Sequence, residues 1–176
     1  FGGMTSLTAC AGIAIVNTKY PFARAYDLAE ALCSSAKKAR RSNNIQGSAF
    51  DWHYTTGGLY DNLAGIRERE YRDGLIHRPL WLLDDKTEQH TWVHQQTLVQ
   101  DFQTNWAEHR NKAKALMDAI RTNAIPKIEE TYLEKSDLKI PTIEGAQRHA
   151  YYDALELMDL YIDLEAVKKA QENGGK

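Results

Sequence analysis

Apolar residues follow one another almost without a break from Leu7 to Val16 (LTACAGIAIV), closing on β-branched Ile13, Ile15 and Val16. A short continuous run of this kind predicts a strand covered on both faces. Ala9, Cys10, Ala11 and Gly12 leave one end of it free of bulk, which suits a tightly packed helix or a close approach to the backbone. Tyr20-Pro21 stops the extended segment, and proline is tolerated in a first helical turn. From there Phe22, Tyr26, Ala29, Cys33 and Ala36 recur at helical spacing, widened by Ala25, Leu28 and Leu32. Glu30, Ser34, Lys37 and Arg41 take the opposite side. Asn43-Asn44 and Gly47 end the helix. Ser48 to Tyr54 (SAFDWHY) then alternates, with Phe50, Trp52 and Tyr54 on one side and Asp51 and His53 on the other. The first third of the chain therefore predicts β-α-β, parallel or antiparallel.

Gly57-Gly58 opens a less regular stretch. Arg67 to Arg72 and Ile76 to Leu83 flank the turn dipeptide Asp73-Gly74 and predict a hairpin. Between Pro79 and Pro126 there is neither glycine nor proline. Within that span Leu98, Phe102, Trp106, His109, Ala113, Leu116 and Ile120 keep one helical face, in one long helix or in two with a break near Asn105 to Glu108. Ile125 to Glu134 predicts another helix, and Gly145 to about Ala170 the last, with Tyr151, Ala154, Leu155, Met158 and Ile162 as its stripe. The expected fold class is α+β. A partial sheet domain occupies residues 1–56, an irregular or β-hairpin connector 57–93, and a mostly helical subdomain 94–176. Two or three strands make a poor sheet on their own. The missing strands are expected from an upstream segment or a partner chain, and the abrupt opening on Phe1 reads as a piece of a longer polypeptide.

Composition narrows the function classes. With 43% hydrophobic and 26% charged residues the chain has a globular balance, which excludes disordered and fibrous classes. Its 22 Lys+Arg against 24 Asp+Glu exclude nucleic-acid binding through bulk positive charge. RNA remains a partner only through a local patch. The longest apolar run, Ala9 to Val16, is far short of the ~20 residues that span a bilayer, so no membrane association is expected. Cys10 and Cys33 both lie among apolar residues and predict buried free thiols in a reducing, cytoplasmic compartment.

Four of the five residues Lys37-Lys38-Ala39-Arg40-Arg41 are basic. No aromatic ring is interleaved to stack a base, so the run suits a phosphate contact or a solvated helix end better than an RNA track. Asp84-Asp85 reads as a solvated turn. His90 and His94 have the spacing of two zinc ligands but no third ligand, and read as surface or capping residues. His149 and Asp153, four apart, read as a pair that steadies a helix.

Thr8 to Ile15, Lys19-Tyr20-Pro21, Ala29-Glu30 and Ala36-Lys37-Lys38, in this order, resemble the second palm domain of the large subunit of type III CRISPR effector complexes. The GGDEF diguanylate cyclases are more distant structural cousins. The palm resemblance covers about residues 5–54. Weaker similarity to the family's helical tail continues at Arg78-Pro79 and at Asp153-Ala154-Leu155-Glu156-Leu157. Cys10 stands where the family usually has serine. The resemblance implies the C-terminal half of a ferredoxin-like palm, ATP and magnesium as ligands of the complete protein, and a role in antiviral defence among effector-complex subunits. In that family a Gly-Gly-Asp-Asp hairpin holds two metal ions that join nucleoside triphosphates into cyclic oligoadenylates. Here Gly2-Gly3 is followed by Met4-Thr5, and Gly57-Gly58 by Leu59-Tyr60, so this chain alone is expected to bind no metal and to be inactive. The resemblance carries nucleotide binding to Lys37, and to Arg41 one turn on, whose side chains can reach one anion. The alternative is a catalytically degenerate palm serving as a scaffold or nucleotide sensor.

Overall fold

A computed structural model describes residues 7–55, 62–71, 75–85, 90–122, 150–164 and 167–168. The fold is α+β: a small mixed sheet of three strands, then helices. Strand β1 (Cys10–Ile15) leads through helix α1 (Phe22–Ser42) to β2 (Ser48–Tyr54). Helix α2 (Leu63–Glu70) and strand β3 (Leu80–Leu82) follow, then α3 (Trp92–Asn105), a 3-10 turn at Ala107–His109, α4 (Arg110–Thr122) and α5 (Ala150–Leu157). The sheet order is β1-β2-β3. β1 and β2 are parallel, with Gly12 opposite Asp51 and Ile13 opposite Trp52, and β3 runs antiparallel to β2.

α1 lies against β1 because Gly12 has no side chain. A Cβ there would fall 2.0 Å from the Ala29 carbonyl oxygen and 2.4 Å from the Cys33 nitrogen. The small residues Ala29, Cys33 and Ala36 on the helix complete this close approach, with Leu28 and Leu32 buried beside them. The helix is anchored on the strand at a second point, where Cys33 Sγ donates to the Cys10 carbonyl at 3.3 Å. At its C-terminal end Asn44 adopts the left-handed conformation (φ 56°), which asparagine tolerates well. Arg40 reaches back to donate from Nε to the Gly47 carbonyl at 2.7 Å.

Several elements depart from the sequence expectation. β1 is covered on one face only: Gly12 meets α1, while Ala11 and Ile13, on the other face, are exposed. Continuous hydrophobicity there reflects small residues under a helix rather than burial on both sides. Phe22 and Tyr26 open the predicted apolar stripe of α1 yet are exposed. Both cysteines are free but only half-buried. Arg67 to Glu70 form the last turn of α2, not a hairpin strand, since Asn62 caps that helix by accepting from Gly65 N at 2.9 Å. β3 pairs with β2 instead. The break near Asn105 is present as the 3-10 turn between α3 and α4. Residues 123–149, with the helix expected at Ile125 to Glu134, and Asp73-Gly74 lie outside the described residues.

Two cores result. Ala36 of α1, Ala49 of β2 and Trp81 of β3 form the smaller one under the sheet. The larger one joins α3, α4 and α5 through Phe102, Trp106, Leu116, Ile120, Tyr151 and Leu155 and takes in Tyr71 and Leu75.

Candidate functional site

Lys37 and Arg41 stand one turn apart near the C-terminal end of α1, both exposed. Among the described residues neither side chain makes an ion pair or hydrogen bond. The basic run is thereby divided: Arg40 is committed to the Gly47 carbonyl, and Lys37, Lys38 and Arg41 project into solvent. Lys37 also lines a shallow depression along α1 with Asp27, Glu30 and Ser34, and Arg41 lies beyond it. The two carboxylates repel phosphate from the depression itself. An anion held by both cations must therefore sit at the Arg41 end. The C-terminal helix dipole opposes it there, so explicit charge has to hold it.

The remaining sequence candidates are not brought together. His90 precedes α3, exposed, whereas His94 lies within α3 and is buried, so the two share no helical face. Thr91 between them is the N-cap, its hydroxyl accepting from His94 N at 3.3 Å. Asp84 and Asp85 form an exposed bend. Asp153 has a different partner from the one expected, and His149 lies outside the described residues. Among the described residues no group of three or more His, Cys, Asp or Glu stands together to hold a metal ion.

What the sequence reading missed is a buried ionic centre between the two cores. The Arg78 side chain is wholly buried, its guanidinium 4.8 Å from the Trp52 ring and 5.0 Å from the Tyr71 ring. Nη1 donates to Glu156, and Nε faces Asp153 at 3.7 Å. Asp153 accepts from the backbone N–H of His77 at 2.8 Å and of Arg78 at 3.1 Å, and Glu156 accepts from the Tyr71 hydroxyl at 3.1 Å. Burial pushes the Asp153 carboxyl up to about 6 against the pull of Arg78. Burial alone would lower Arg78, but Asp153 and Glu156 outweigh it and hold the guanidinium charged. His53 is buried next to this centre and its pKa falls to about 4, through burial first and then the charges of Arg78 and Arg67, so it is neutral at pH 7. Arg67 pairs with buried Asp51 through two hydrogen bonds of 2.6 and 3.0 Å.

The two stretches singled out as tail features, Arg78-Pro79 and Asp153 to Leu157, thus meet in space. Their arrangement is architectural: every charged group faces a partner inside the protein, and the set ties the loop before β3 to α5. A single arginine and two acids within otherwise apolar segments were the only signal for it. No protein-family model, curated protein or solved structure matches the chain.

Proposed function

We propose that this chain is the nucleotide-binding part of a palm-type nucleotidyltransferase or cyclase, of the kind found in CRISPR effector polymerase subunits, acting in antiviral defence. The observation that carries the proposal is the pair of exposed, unpartnered cations Lys37 and Arg41, one turn apart on the crossover helix of a parallel β-α-β unit. An ammonium and a forked guanidinium on one helical face suit a triphosphate. The magnesium that accompanies ATP would find its acidic ligands outside this chain, in the upstream segment or partner that completes the sheet. The outer edge of β1 is where such a strand would add, and exposed Ala11 and Ile13 would be covered with it. One feature is unlike a ferredoxin-like half. The split β-α-β of that fold keeps a third strand between its parallel pair, whereas β1 and β2 are direct neighbours. Completion of a palm by insertion requires this pair to open; addition at the edge does not.

The test is calorimetric titration of ATP with magnesium into the protein with its sheet completed. Lys37→Ala should weaken binding by about 1.5–3 kcal/mol, the range for a hydrogen bond to a charged group. Lys38→Ala, about 100° around the helix, should leave affinity unchanged. Equal affinities for both variants and the parent would reduce the basic run to a solvated helix end.

A further inference from the structure

A cavity of about 580 Å³ lies among α2, α4, α5 and the end of β2. That volume is within the range of small-molecule sites, about 300–1,000 Å³. α4 lines it with Arg110, Lys114 and Arg121, which fall within about 40° of one another around the helix and form a single cationic stripe. Arg110 is paired with Asp159 at 3.4 Å and Arg121 with Asp118 at 2.7 Å, both in exposed pairs. Pairs of that kind are weak and leave the guanidiniums free to turn to a stronger anion. Lys114 is exposed and has no partner among the described residues.

The other walls differ in character. Glu156 is already committed to Arg78 and Tyr71. Glu70 is not: it accepts no hydrogen bond among the described residues, faces His53 at 3.5 Å and feels the charge of Arg69, which also lines the cavity. His53 is neutral at pH 7 and adds no charge beside the carboxylate, and burial outweighs the pull of Arg69 and Arg78 and raises the Glu70 pKa. Tyr54, at the end of β2, lines the same cavity with its ring partly open to solvent. One space thus holds Lys114 without a partner among the described residues, two redirectable arginines of α4, Arg69 of α2, an open aromatic ring, and a half-buried carboxylate that accepts no hydrogen bond among the described residues.

We propose that this cavity binds a guanine nucleotide, with phosphates on the α4 stripe, the base on Tyr54, and the base's donor edge on Glu70. The choice of base follows from hydrogen-bond geometry. Guanine presents two adjacent donors, N1–H and the 2-amino group, which a carboxylate accepts side by side. Adenine and cytosine set a ring acceptor next to their single amino group, and uracil flanks its one N–H with carbonyl oxygens. This site is separate from Lys37 and does not depend on the palm reading.

The experiment is calorimetric titration of the chain with GTP, ATP and UTP, for the parent and for Lys114→Gln, Glu70→Gln and Lys37→Ala. The parent should bind GTP at least tenfold more tightly than ATP or UTP. Lys114→Gln should weaken GTP binding about tenfold or more. Glu70→Gln should abolish the preference for guanine and leave the thermal melt near that of the parent. Lys37→Ala, which touches only phosphate held on α1, should leave the preference for GTP over ATP intact. No heat of GTP binding up to about 1 mM, which corresponds to about −4.1 kcal/mol, would overturn the proposal. So would equal affinity for GTP and ATP, or a loss of GTP binding in Lys37→Ala, which would move the nucleotide to α1.

Discussion

Replacing Arg78 by methionine should cost more than any surface charge in this protein. The substitution keeps an apolar stem between the Trp52 and Tyr71 rings but leaves Asp153 and Glu156 inside the protein without their cation. The side chains of Arg78 and Asp153 are fully buried and that of Glu156 nearly so, so solvent screens little of the loss. Breaking a buried pair by removing one partner costs about 3–5 kcal/mol, and the same range is expected here. The charge left behind is the cause, not the lost attraction, and a further substitution separates the two. In the triple variant Arg78→Met, Asp153→Asn, Glu156→Gln no ion is left in this centre. The new amide oxygens still accept from the His77 and Arg78 N–H groups and from Tyr71. The triple variant should therefore recover most of the loss and come within about 2 kcal/mol of the parent. Urea unfolding followed by tryptophan fluorescence measures this directly, since Trp52 lies under the guanidinium. Arg121→Met, which breaks an exposed pair with Asp118, is the reference and should stay within about 0.5 kcal/mol. A single Arg78 variant within about 1 kcal/mol of the parent, or a triple variant no more stable than the single one, would refute the reasoning.

Gly12→Ala would drive a methyl group into the Ala29 carbonyl and the Cys33 nitrogen, both backbone atoms that cannot rotate away. A loss of about 3 kcal/mol is expected, read as a lower urea midpoint; a melt unchanged from the parent would show that α1 can lift off β1 freely. His53 and Asp153 should give opposite pH dependences. His53 binds fewer protons folded than unfolded between pH 4 and 6.5, so its contribution grows as pH rises through that window. Asp153 binds more protons folded between pH 3.8 and 6, so its contribution shrinks as pH rises. The two nearly cancel in the parent. His53→Gln should therefore turn the stability profile between pH 4 and 6 into one that falls with pH, and a profile parallel to the parent's in urea midpoints would contradict the assignment.

How much of this was legible beforehand depended on whether a residue's role was local. The β1-α1-β2 unit follows from patterns within single elements, namely Gly12 in a run of small residues, a helical stripe, and a strict alternation from Phe50 to Tyr54. The break between α3 and α4 was legible for the same reason. α2 was not. Arg67 to Glu70 are charged at every position and carry no apolar period, and what makes them helical is the Asn62 cap at one end with Ile66 buried in the middle turn. The alternation in β2 also misled on burial. Asp51 and His53 fall on the polar side of the pattern yet are as buried as Trp52, because α1 covers that face and Arg67 supplies the charge that Asp51 needs.

The two candidate nucleotide sites differ in the same way. Lys37 and Arg41 are neighbours on one helix, so their spacing in the sequence is their spacing in space. Glu70, Lys114 and Tyr54 come from α2, α4 and β2, and nothing in the sequence puts them around one cavity. The fold does so through the Arg78 centre. By holding α5 against the loop before β3 and the Tyr71 ring, that centre sets the wall formed by Tyr152, Leu155 and Glu156 opposite the α4 stripe. Loss of the centre should therefore disturb the cavity more than the α1 site, which rests on the Gly12 contact and on the smaller core under the sheet. The buried charges thus have a consequence beyond stability. They make the shape of one surface depend on a single arginine, while the other surface depends on a single glycine.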